Sequence, residues 1–460
     1  MREALQAKKF PMFGSTNASQ QSFRRDVVRV GIDVLALNGN TGGAGRLASI
    51  TSERGLRIAR RLTLAVWVVA LVAIPVIPVW LAGDDLLDLR VYRNGGLAWL
   101  HGTPLYHDFP GTLSGPQLPF TYPPLAAVLF SVFTALPFWL TSTIVLVGGY
   151  LALTAATVVV TGRLNHRLKW TLGPAAAVLS LSLEPVLSTF GYGQVNLVLM
   201  ALVIVDCLAL RRSRGVLVGL AAAIKLTPAV FVLYFLVKRD WKAAATSIAS
   251  FAGFGLVGFL FAPNDSREYW FSTVFDPSRI GGLAYMNNQS LRGLLHRLHP
   301  LPVVETLLWA MLTIMALALA WRAARRAAND VTALTAIAVA GLLASPVSWS
   351  HHWVWAAPAF LALGWQLWQT RAWRWTPVLI AALVVFWLAP FQWLPHGDDH
   401  ELTWSLWQDI PGNAYVWLGL GFLTVLAFGT SRSARICLRD EFGLPLATDV
   451  RSDAGDAGLL

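Results

Sequence analysis

A polar segment that begins with three closely spaced carboxylates lies between two long apolar runs of this chain. These acids are Asp84, Asp85 and Asp88, and the nearby Arg90, Tyr92 and Arg93 add cationic and phenolic groups. A carboxylate beside an apolar run can act as a general base on a hydroxyl, and an arginine can hold a phosphate. The alternative is an ordinary solvated loop, because loops collect carboxylates for solubility.

A single lysine interrupts another apolar segment. Lys225 lies in the middle of Gly215 to Val237, within the sequence GLAAAIKLTPA. An ionisable side chain at that depth is costly unless it faces a cavity or a partner, so it indicates a functional site. The alternative is a lysine whose head group reaches the interface, but the distance from both ends of the segment makes this less favourable.

Paired histidines follow a third apolar run, in the sequence SPVSWSHHWVW. His351 and His352 could bind a phosphate oxygen or donate a proton. Adjacent residues point to different sides of a helix, so we expect one of the two to enter the site. The flanking tryptophans fit an interfacial aromatic belt without further function. A metal site is not favoured, because no carboxylate accompanies the histidines at ligand spacing.

Neutral amides form the last group of candidate binding residues. Gln194 and Asn196 lie in GYGQVN, and the sequence NNQSLRG contributes Asn287, Asn288, Gln289, Ser290 and Arg292. Amides suit sugar hydroxyls, and the arginine suits a phosphate. The same side chains could equally be helix caps.

The elements that must position these residues are predicted to be membrane helices. Of 460 residues, 55% are hydrophobic and only 13% are charged, against about a quarter charged in soluble domains. Apolar stretches long enough to span a bilayer run over residues 62–81, 141–161, 170–190, 195–210, 243–261, 301–320, 331–344, 353–368, 375–394 and 415–430. The alternation of barrel strands is absent, so the sequence predicts an all-α polytopic membrane protein.

The net charge of +11 does not indicate a nucleic-acid partner. Lysines and arginines form short clusters between the apolar stretches, as the positive-inside rule describes for cytoplasmic loops. Loops 83–121, 263–300 and 395–412 then face outward. Two segments break this alternation, Pro124 to Val160 and Gly215 to Val237, and we expect half-helices or re-entrant pieces there. For the first of them, a plain span that violates the charge rule is almost as good an explanation.

The two ends of the chain carry no apolar periodicity. We expect residues 1–61 to be a disordered cytoplasmic extension without a cleavable signal, 62–430 to be the membrane domain, and 431–460 to be a cytoplasmic tail. Cys207 and Cys437 are the only cysteines, which leaves no disulfide framework. The sequence holds no phosphate-binding loop or dinucleotide fingerprint.

Six motifs in one order resemble a known family. DLRVY, FTYPP, GYGQVN, IKLTP, NNQSLRG and SPVSWSHHW, spread over about Leu62 to Thr430, resemble the polyprenyl-phosphate-mannose-dependent alpha-1,2-mannosyltransferases of glycosyltransferase family 87. The resemblance implies a GT-C membrane fold with about 11–12 transmembrane or membrane-embedded helices. It also implies that Asp88 is the catalytic carboxylate of the outer loop, and that Lys225 and His351 or His352 lie in the site. Asp84 and Asp85 are further acids beside it.

The resemblance implies a mannosyl transfer with inversion, from polyprenyl-phosphate mannose to a phosphatidylinositol mannoside or a mannan chain, at the outer face of the plasma membrane. Asp88 would activate the acceptor 2-hydroxyl, while Lys225, a histidine and Arg292 would stabilise the leaving phosphate. No cofactor or metal is expected, since a monophosphate carries less charge than a diphosphate. A transferase for another polyprenyl-phosphate sugar and a flippase stay open as alternatives; no internal repeat favours the flippase.

Overall fold

The computed structural model describes residues 53–80, 86–107, 109, 118–276, 279 and 281–429. Asp84, Asp85, Cys437 and the predicted disordered and tail regions up to residue 52 and from 430 onward lie outside the described residues. The predicted boundary at residue 62 is wrong, because the first helix already begins at Glu53. The sequence ERGLRIARR is rich in good helix formers, which continue the apolar helix into its basic end.

The described residues fold almost entirely into helices, and none of them forms a β-strand. The α-helices are α1 (Glu53–Trp80), α2 (Leu87–His101), α3 (Pro124–Phe130), α4 (Phe138–Leu164), α5 (Lys169–Ser180), α6 (Glu184–Tyr192), α7 (Asn196–Leu208), α8 (Val216–Ile224), α9 (Val232–Val237), α10 (Trp241–Phe261), α11 (Pro263–Phe271), α12 (Leu291–Arg297), α13 (Pro302–Arg326), α14 (Asp330–Ala344), α15 (Ala356–Thr370), α16 (Thr376–Leu388), α17 (Leu406–Gly412) and α18 (Ala414–Phe428). Short 3₁₀ helices cover Ser131–Ala135, Thr227–Phe231, Thr273–Phe275, Ser350–Trp355, Trp373–Trp375, Pro390–Trp393 and His400–Thr403.

The all-α membrane fold is confirmed. Among the described helices, α4, α10 and α13 are each long and apolar enough to cross a bilayer. Two bent pairs, α5 with α6 and α17 with α18, raise the number of such spans to five if each pair crosses as one unit. Several shorter apolar helices lie beside them. The expected count of about 11–12 membrane helices therefore stays a prediction.

The chain bends or breaks at several points, and one of the breaks holds the candidate site residue Lys225. Helices α5 and α6 meet at 72°, and α17 and α18 meet at 69°. The predicted break in Gly215 to Val237 falls at Lys225, whose extended backbone (φ −145°, ψ 125°) separates α8 from the following 3₁₀ turn. The segment before α4 is also interrupted, with α3 followed by the 3₁₀ helix Ser131–Ala135. Broken helices at such positions expose polar groups where a cavity can receive them.

Small residues let the central helices approach closely. Helix α14 is buried over most of its length and packs against α13 and α15. Several of its buried residues are alanines. At Gly219 of α8, an added Cβ would lie 2.5 Å from the carbonyl oxygen of Ser247 in α10. Asp206 fixes the start of α8, because its carboxylate accepts from the backbone N–H groups of Gly215 and Val218. These contacts fix the position of α8, and therefore the position of Lys225 at its other end.

Candidate active site

Asp88 and Tyr92 lie one turn apart near the beginning of α2, so that both side chains share one face of the helix. Asp88 is half-buried and Tyr92 is fully buried. The N-terminal turn of a helix favours a negative charge, which suits a carboxylate at this position. Helix α2 is therefore the element that positions the Asp88 carboxylate.

Two tyrosines and one amide fix the surroundings of Asp88. Tyr92 Oη donates to Gln194 Oε1 at 2.6 Å. Tyr122, from the FTYPP motif, lies with its Oη 2.9 Å from Tyr92 Oη and 3.3 Å from Gln194 Oε1. All three side chains are buried. This cluster ties α2 to the segment before α3 and to the loop between α6 and α7.

Lys225 faces the same region from the broken end of α8. Its Nζ lies 3.0 Å from Asn196 Oδ1 and 3.1 Å from His352 Nε2. It also lies 5.4 Å from the centre of the Tyr122 ring, within the range of a cation–π contact. An ammonium group has three N–H donors, and these two partners use two of them. The third N–H donor is then available to a ligand.

The rings of the two histidines lie next to each other but have different partners. The expectation that one of them enters the site stays a prediction. His352 accepts from Lys225, which requires a neutral ring with its proton on Nδ1. His351 is buried between the rings of Tyr192 and His352, at 5.0 and 4.8 Å. Among the described residues, neither ring nitrogen of His351 has a hydrogen-bond partner. Such unpaired buried groups need an explanation, and a polar ligand beside His351 would supply one.

The pKa of the Asp88 carboxyl is raised to about 6. Burial of the carboxyl is the main cause, because removal from water penalises the charged form. A hydrogen bond from Gln194 and the positive charge of Lys225 both act in the opposite direction and lower the pKa. A carboxyl with a pKa of about 6 is ionised at neutral pH and basic enough to receive a proton.

An apolar cavity continues from Lys225 into the membrane body. The polar side chains that line it are Lys225, Asn196, Ser348, Thr227 and His352. Asn196 and His352 both contact Lys225, which gives the cavity a cationic region. Its walls come from α7, the 3₁₀ turn after Lys225, α14 and the segment before α15. Apolar side chains line them: Leu199, Met200, Val203, Val230, Phe231, Leu342, Val354 and Trp355. A cavity with one cationic end and an apolar body suits a ligand with an anionic head and a hydrocarbon chain.

Three of the predicted binding residues contribute elsewhere. Arg90 stacks on the Phe138 ring at 4.4 Å from its centre. Arg292 pairs with Glu305 at 3.2 Å and packs on Trp309, so its contacts lie between α12 and α13. Asn288 is fully buried, and its Oδ1 accepts from the backbone N–H of Ser348.

Gln289, Asn287 and Ser290 complete the account of this motif. Gln289 Nε2 donates to the carbonyl oxygens of Met286 and Gly412, and its Oε1 accepts from Tyr415 N. Asn287 is buried, and Ser290 caps α12 by accepting from Gly293 N. The motif thus supports backbone segments, which is the helix-cap alternative that the sequence left open. For Asn288, that support extends to the histidine segment.

The sequence that forms this cationic cavity and the carboxylate beside it is similar to the sequences of known proteins. The chain is 39% identical over 398 residues to a protein of Mycobacterium tuberculosis named polyprenol-phosphate-mannose-dependent alpha-(1-2)-phosphatidylinositol mannoside mannosyltransferase. The match covers 81% of this chain and 92% of that relative, and the family model of glycosyltransferase family 87 matches residues 120–346. The chain belongs to glycosyltransferase family 87. It is therefore a membrane glycosyltransferase.

Further family 87 relatives agree with this. A protein of the same name from Mycolicibacterium smegmatis is 38% identical over 396 residues, covering 80% of this chain and 90% of the relative. A pentamannoside mannosyltransferase from the same organism is 36% identical over 291 residues, covering 61% of this chain and 70% of the relative. No solved structure matches the chain.

The sequence reasoning missed one residue of the candidate site, Tyr122, and two buried acids outside it, Glu184 and Asp206. Tyr122 lies in the FTYPP motif, but the motif does not show which side chains the tyrosine contacts in the fold. Tyr122 was therefore not among the candidate site residues. Glu184 and Asp206 lie in apolar stretches and are fully buried. The rule that indicated Lys225, an ionisable residue inside a membrane segment, would have found both.

Proposed function

We propose that this chain transfers mannose from polyprenyl-phosphate mannose to a phosphatidylinositol mannoside, with inversion, forming an alpha-1,2 linkage at the outer face of the plasma membrane. The observation that carries the proposal is the cluster that joins Asp88 to Lys225 through Gln194 and Tyr122. A basic carboxylate and a lipid-phosphate site then lie on opposite sides of the reacting sugar.

Asp88 is the general base in this mechanism. Its carboxylate takes the proton of the acceptor mannose 2-hydroxyl, and the oxygen attacks C1 of the β-linked donor mannose. The C1–O bond to the phosphate breaks as the new bond forms on the opposite face of the ring. Attack from that face converts the β-linkage of the donor into an α-linkage in the product.

Lys225 stabilises the leaving polyprenyl monophosphate. The N–H that Asn196 and His352 do not use donates to a phosphate oxygen as negative charge develops there. His351 offers its unpaired ring nitrogens to the phosphate or to a sugar hydroxyl. The apolar cavity beside Lys225 holds the first part of the prenyl chain, so the phosphate stays at the cationic end.

The donor and the acceptor are supported by what the relatives are named for. Those relatives use polyprenol-phosphate mannose and phosphatidylinositol mannosides. A lipid bilayer is the natural source of both molecules, and the apolar cavity fits the lipid end of the donor. A longer mannan chain is the other acceptor to test.

The test is mannose transfer from labelled polyprenyl-phosphate mannose by membranes that contain the native chain or Asp88→Asn. We expect the native chain to form a product that an alpha-1,2-specific mannosidase releases. Asp88→Asn should reduce the rate by about 10²–10⁴-fold, the usual contribution of a general base. Asp398→Asn is the matched control, because Asp398 lies exposed in loop 395–412.

Three results would contradict the proposal. Full activity of Asp88→Asn would move the base to Asp84 or Asp85. Transfer of a different sugar would change the donor. Movement of labelled lipid across the bilayer without a new glycosidic bond would indicate a flippase.

A further inference from the structure

Glu184 is a fully buried carboxylate at the beginning of α6, outside the cluster that contains Asp88 and Lys225. Burial of a carboxylate is costly unless hydrogen bonds compensate it. Four neutral side chains donate to it: Ser188 Oγ (2.6 Å), Ser350 Oγ (2.8 Å) and Gln392 Nε2 (3.1 Å) to Oε1, and Tyr415 Oη (2.9 Å) to Oε2. These hydrogen bonds compensate the burial of the Glu184 carboxylate and connect it to its neighbours.

The four donors come from four different elements. Ser188 lies one turn further along α6, Ser350 begins the 3₁₀ helix Ser350–Trp355, Gln392 lies in Pro390–Trp393, and Tyr415 belongs to α18. Of these partners, Ser350 is the one directly followed by residues of the candidate site, His351 and His352. Glu184 thus has a direct connection to the histidine segment.

Other contacts hold the same segment from different sides. The carbonyl oxygen of His351 accepts from Thr189 Oγ1 at 3.0 Å and from Asn196 Nδ2 at 3.1 Å. Trp353 Nε1 donates to the carbonyl oxygen of Gln289. Asn196 also contacts Lys225, so the backbone of the histidine segment and the ammonium group share one partner. A small shift of Ser350 would change the separation of His352 from Lys225.

We propose that Glu184 is a positioning residue, which acts through Ser350 to hold His352 Nε2 within hydrogen-bond distance of Lys225 Nζ. The proposal rests on the proposed function, in which Lys225 and His352 receive the donor phosphate. Glu184 itself does not contact the substrate. Its most direct link to the histidines is the hydroxyl of Ser350, which immediately precedes them. Tyr415 reaches the same segment only through a ring contact with Trp353.

Two serines provide a matched test, since each donates to the same oxygen of Glu184. Ser350→Ala removes the connection to the histidine segment, whereas Ser188→Ala removes a donor on the carboxylate's own helix. We expect Ser350→Ala to weaken the binding of decaprenyl monophosphate and to slow mannose transfer by about tenfold, within the usual range of coupled contacts. Ser188→Ala should change both by less than about threefold. Ser350→Thr, which keeps the hydroxyl, should restore most of the loss.

A double-mutant cycle separates positioning from simple loss of stability. If Ser350 acts through His352, Ser350→Ala should add little to the loss already caused by His352→Ala. A general loosening of the fold would instead multiply the two effects. Multiplied effects, or equal losses for Ser350→Ala and Ser188→Ala, would overturn the proposal. Thermal unfolding of each purified variant in detergent checks that the chains are folded.

The binding measurement distinguishes failure of this inference from failure of the proposed function. Binding of decaprenyl monophosphate is followed through tryptophan fluorescence of the full chain and needs no turnover. A native chain that binds this lipid but transfers no mannose would refute the proposed function. The double-mutant cycle of Ser350 and His352 could then still be measured through binding. A native chain that does not bind it would overturn the positioning role together with the phosphate site.

Discussion

Lys225 Nζ lies 3.1 Å from His352 Nε2, although the two residues belong to segments far apart in the chain. The same ammonium group contacts Asn196 Oδ1, and its field lowers the pKa of Asp88. One cation thus connects the proposed phosphate site with the proposed base. Its removal has two separable consequences, and the first predictions use them.

Replacement of Lys225 should remove stabilisation of the leaving phosphate. We expect Lys225→Met to lower kcat for mannose transfer by about 10²–10³-fold, as for the loss of one preorganised donor to a developing anion. Lys225→Arg should recover little, because a planar guanidinium cannot replace a compact ammonium between Asn196 and His352. Rates are measured at pH 8, where Asp88 is ionised in the native chain.

Lys242→Met is the control for this variant, since Lys242 is exposed at the beginning of α10. A Lys225→Met chain that keeps most of its kcat would contradict the assignment of Lys225 to the phosphate. A change confined to KM would indicate a role in ground-state binding only.

The rate of transfer should depend on pH through Asp88. Its pKa of about 6 means that the carboxyl is protonated at lower pH and cannot accept the acceptor's proton. Activity should therefore fall as pH decreases through about 6 and level off above it. The groups that act on Asp88 or respond to its charge are Lys225, Gln194, Tyr92 and Tyr122.

The direction of the shift in variants provides the check. Lys225 and Gln194 lower the pKa of Asp88, so Lys225→Met and Gln194→Leu should each move the midpoint of the pH–rate profile to higher pH. Asp398→Asn should leave the midpoint unchanged. A flat profile between pH 5 and pH 8 would argue against Asp88 as the base.

The two tyrosines around Gln194 should contribute unequally to stability. Tyr92 donates to Gln194 at 2.6 Å, whereas Tyr122 lies at 3.3 Å from the same oxygen. Tyr92→Phe should lower the free energy of unfolding by about 1–3 kcal/mol, because it leaves a buried acceptor poorly satisfied. Thermal unfolding in detergent measures the effect, and Tyr122→Phe should cost less. The reverse order would mean that Tyr122 is the main partner of Gln194.

Chelation of divalent metal ions should leave transfer nearly unchanged. Lys225 meets the charge of a leaving monophosphate, so the proposed mechanism requires no metal ion at that position. Assays with native membranes before and after treatment with EDTA check this. Loss of activity that Mg²⁺ or Mn²⁺ restores would show that a metal takes part.

The predicted orientation can be tested with added cysteines. Asp398→Cys in loop 395–412 should react with a membrane-impermeant maleimide in intact cells, whereas Lys242→Cys should react only after permeabilisation. Both variants are made in a Cys437→Ser background, so that the buried Cys207 is the one native cysteine that remains. Labelling of both positions from outside, or of Lys242→Cys alone, would contradict the outer-face site.

The site could be predicted in part because some signals are local. A lysine within an apolar run is unusual, so this local pattern indicated Lys225 without knowledge of its neighbours. The choice of Asp88 among three nearby acids came instead from the resemblance of DLRVY to family 87. Arg292 shows the limit of this reasoning. Its residue type suits a phosphate, but the packing of α12 against α13 brings it to Glu305 instead.

The sequence by itself determined the class of the protein, the apolar segments, the presence of a break between Gly215 and Val237, and the order of motifs typical of family 87. These follow from composition and local pattern, since a bilayer selects long apolar helices whatever their partners. Only the tertiary structure decided that His352 contacts Lys225, that Tyr122 joins the site, and that Asn288 and Gln289 support backbone segments. Hydrogen bonds between distant segments depend on how the helices pack, and no periodicity in the chain encodes that packing.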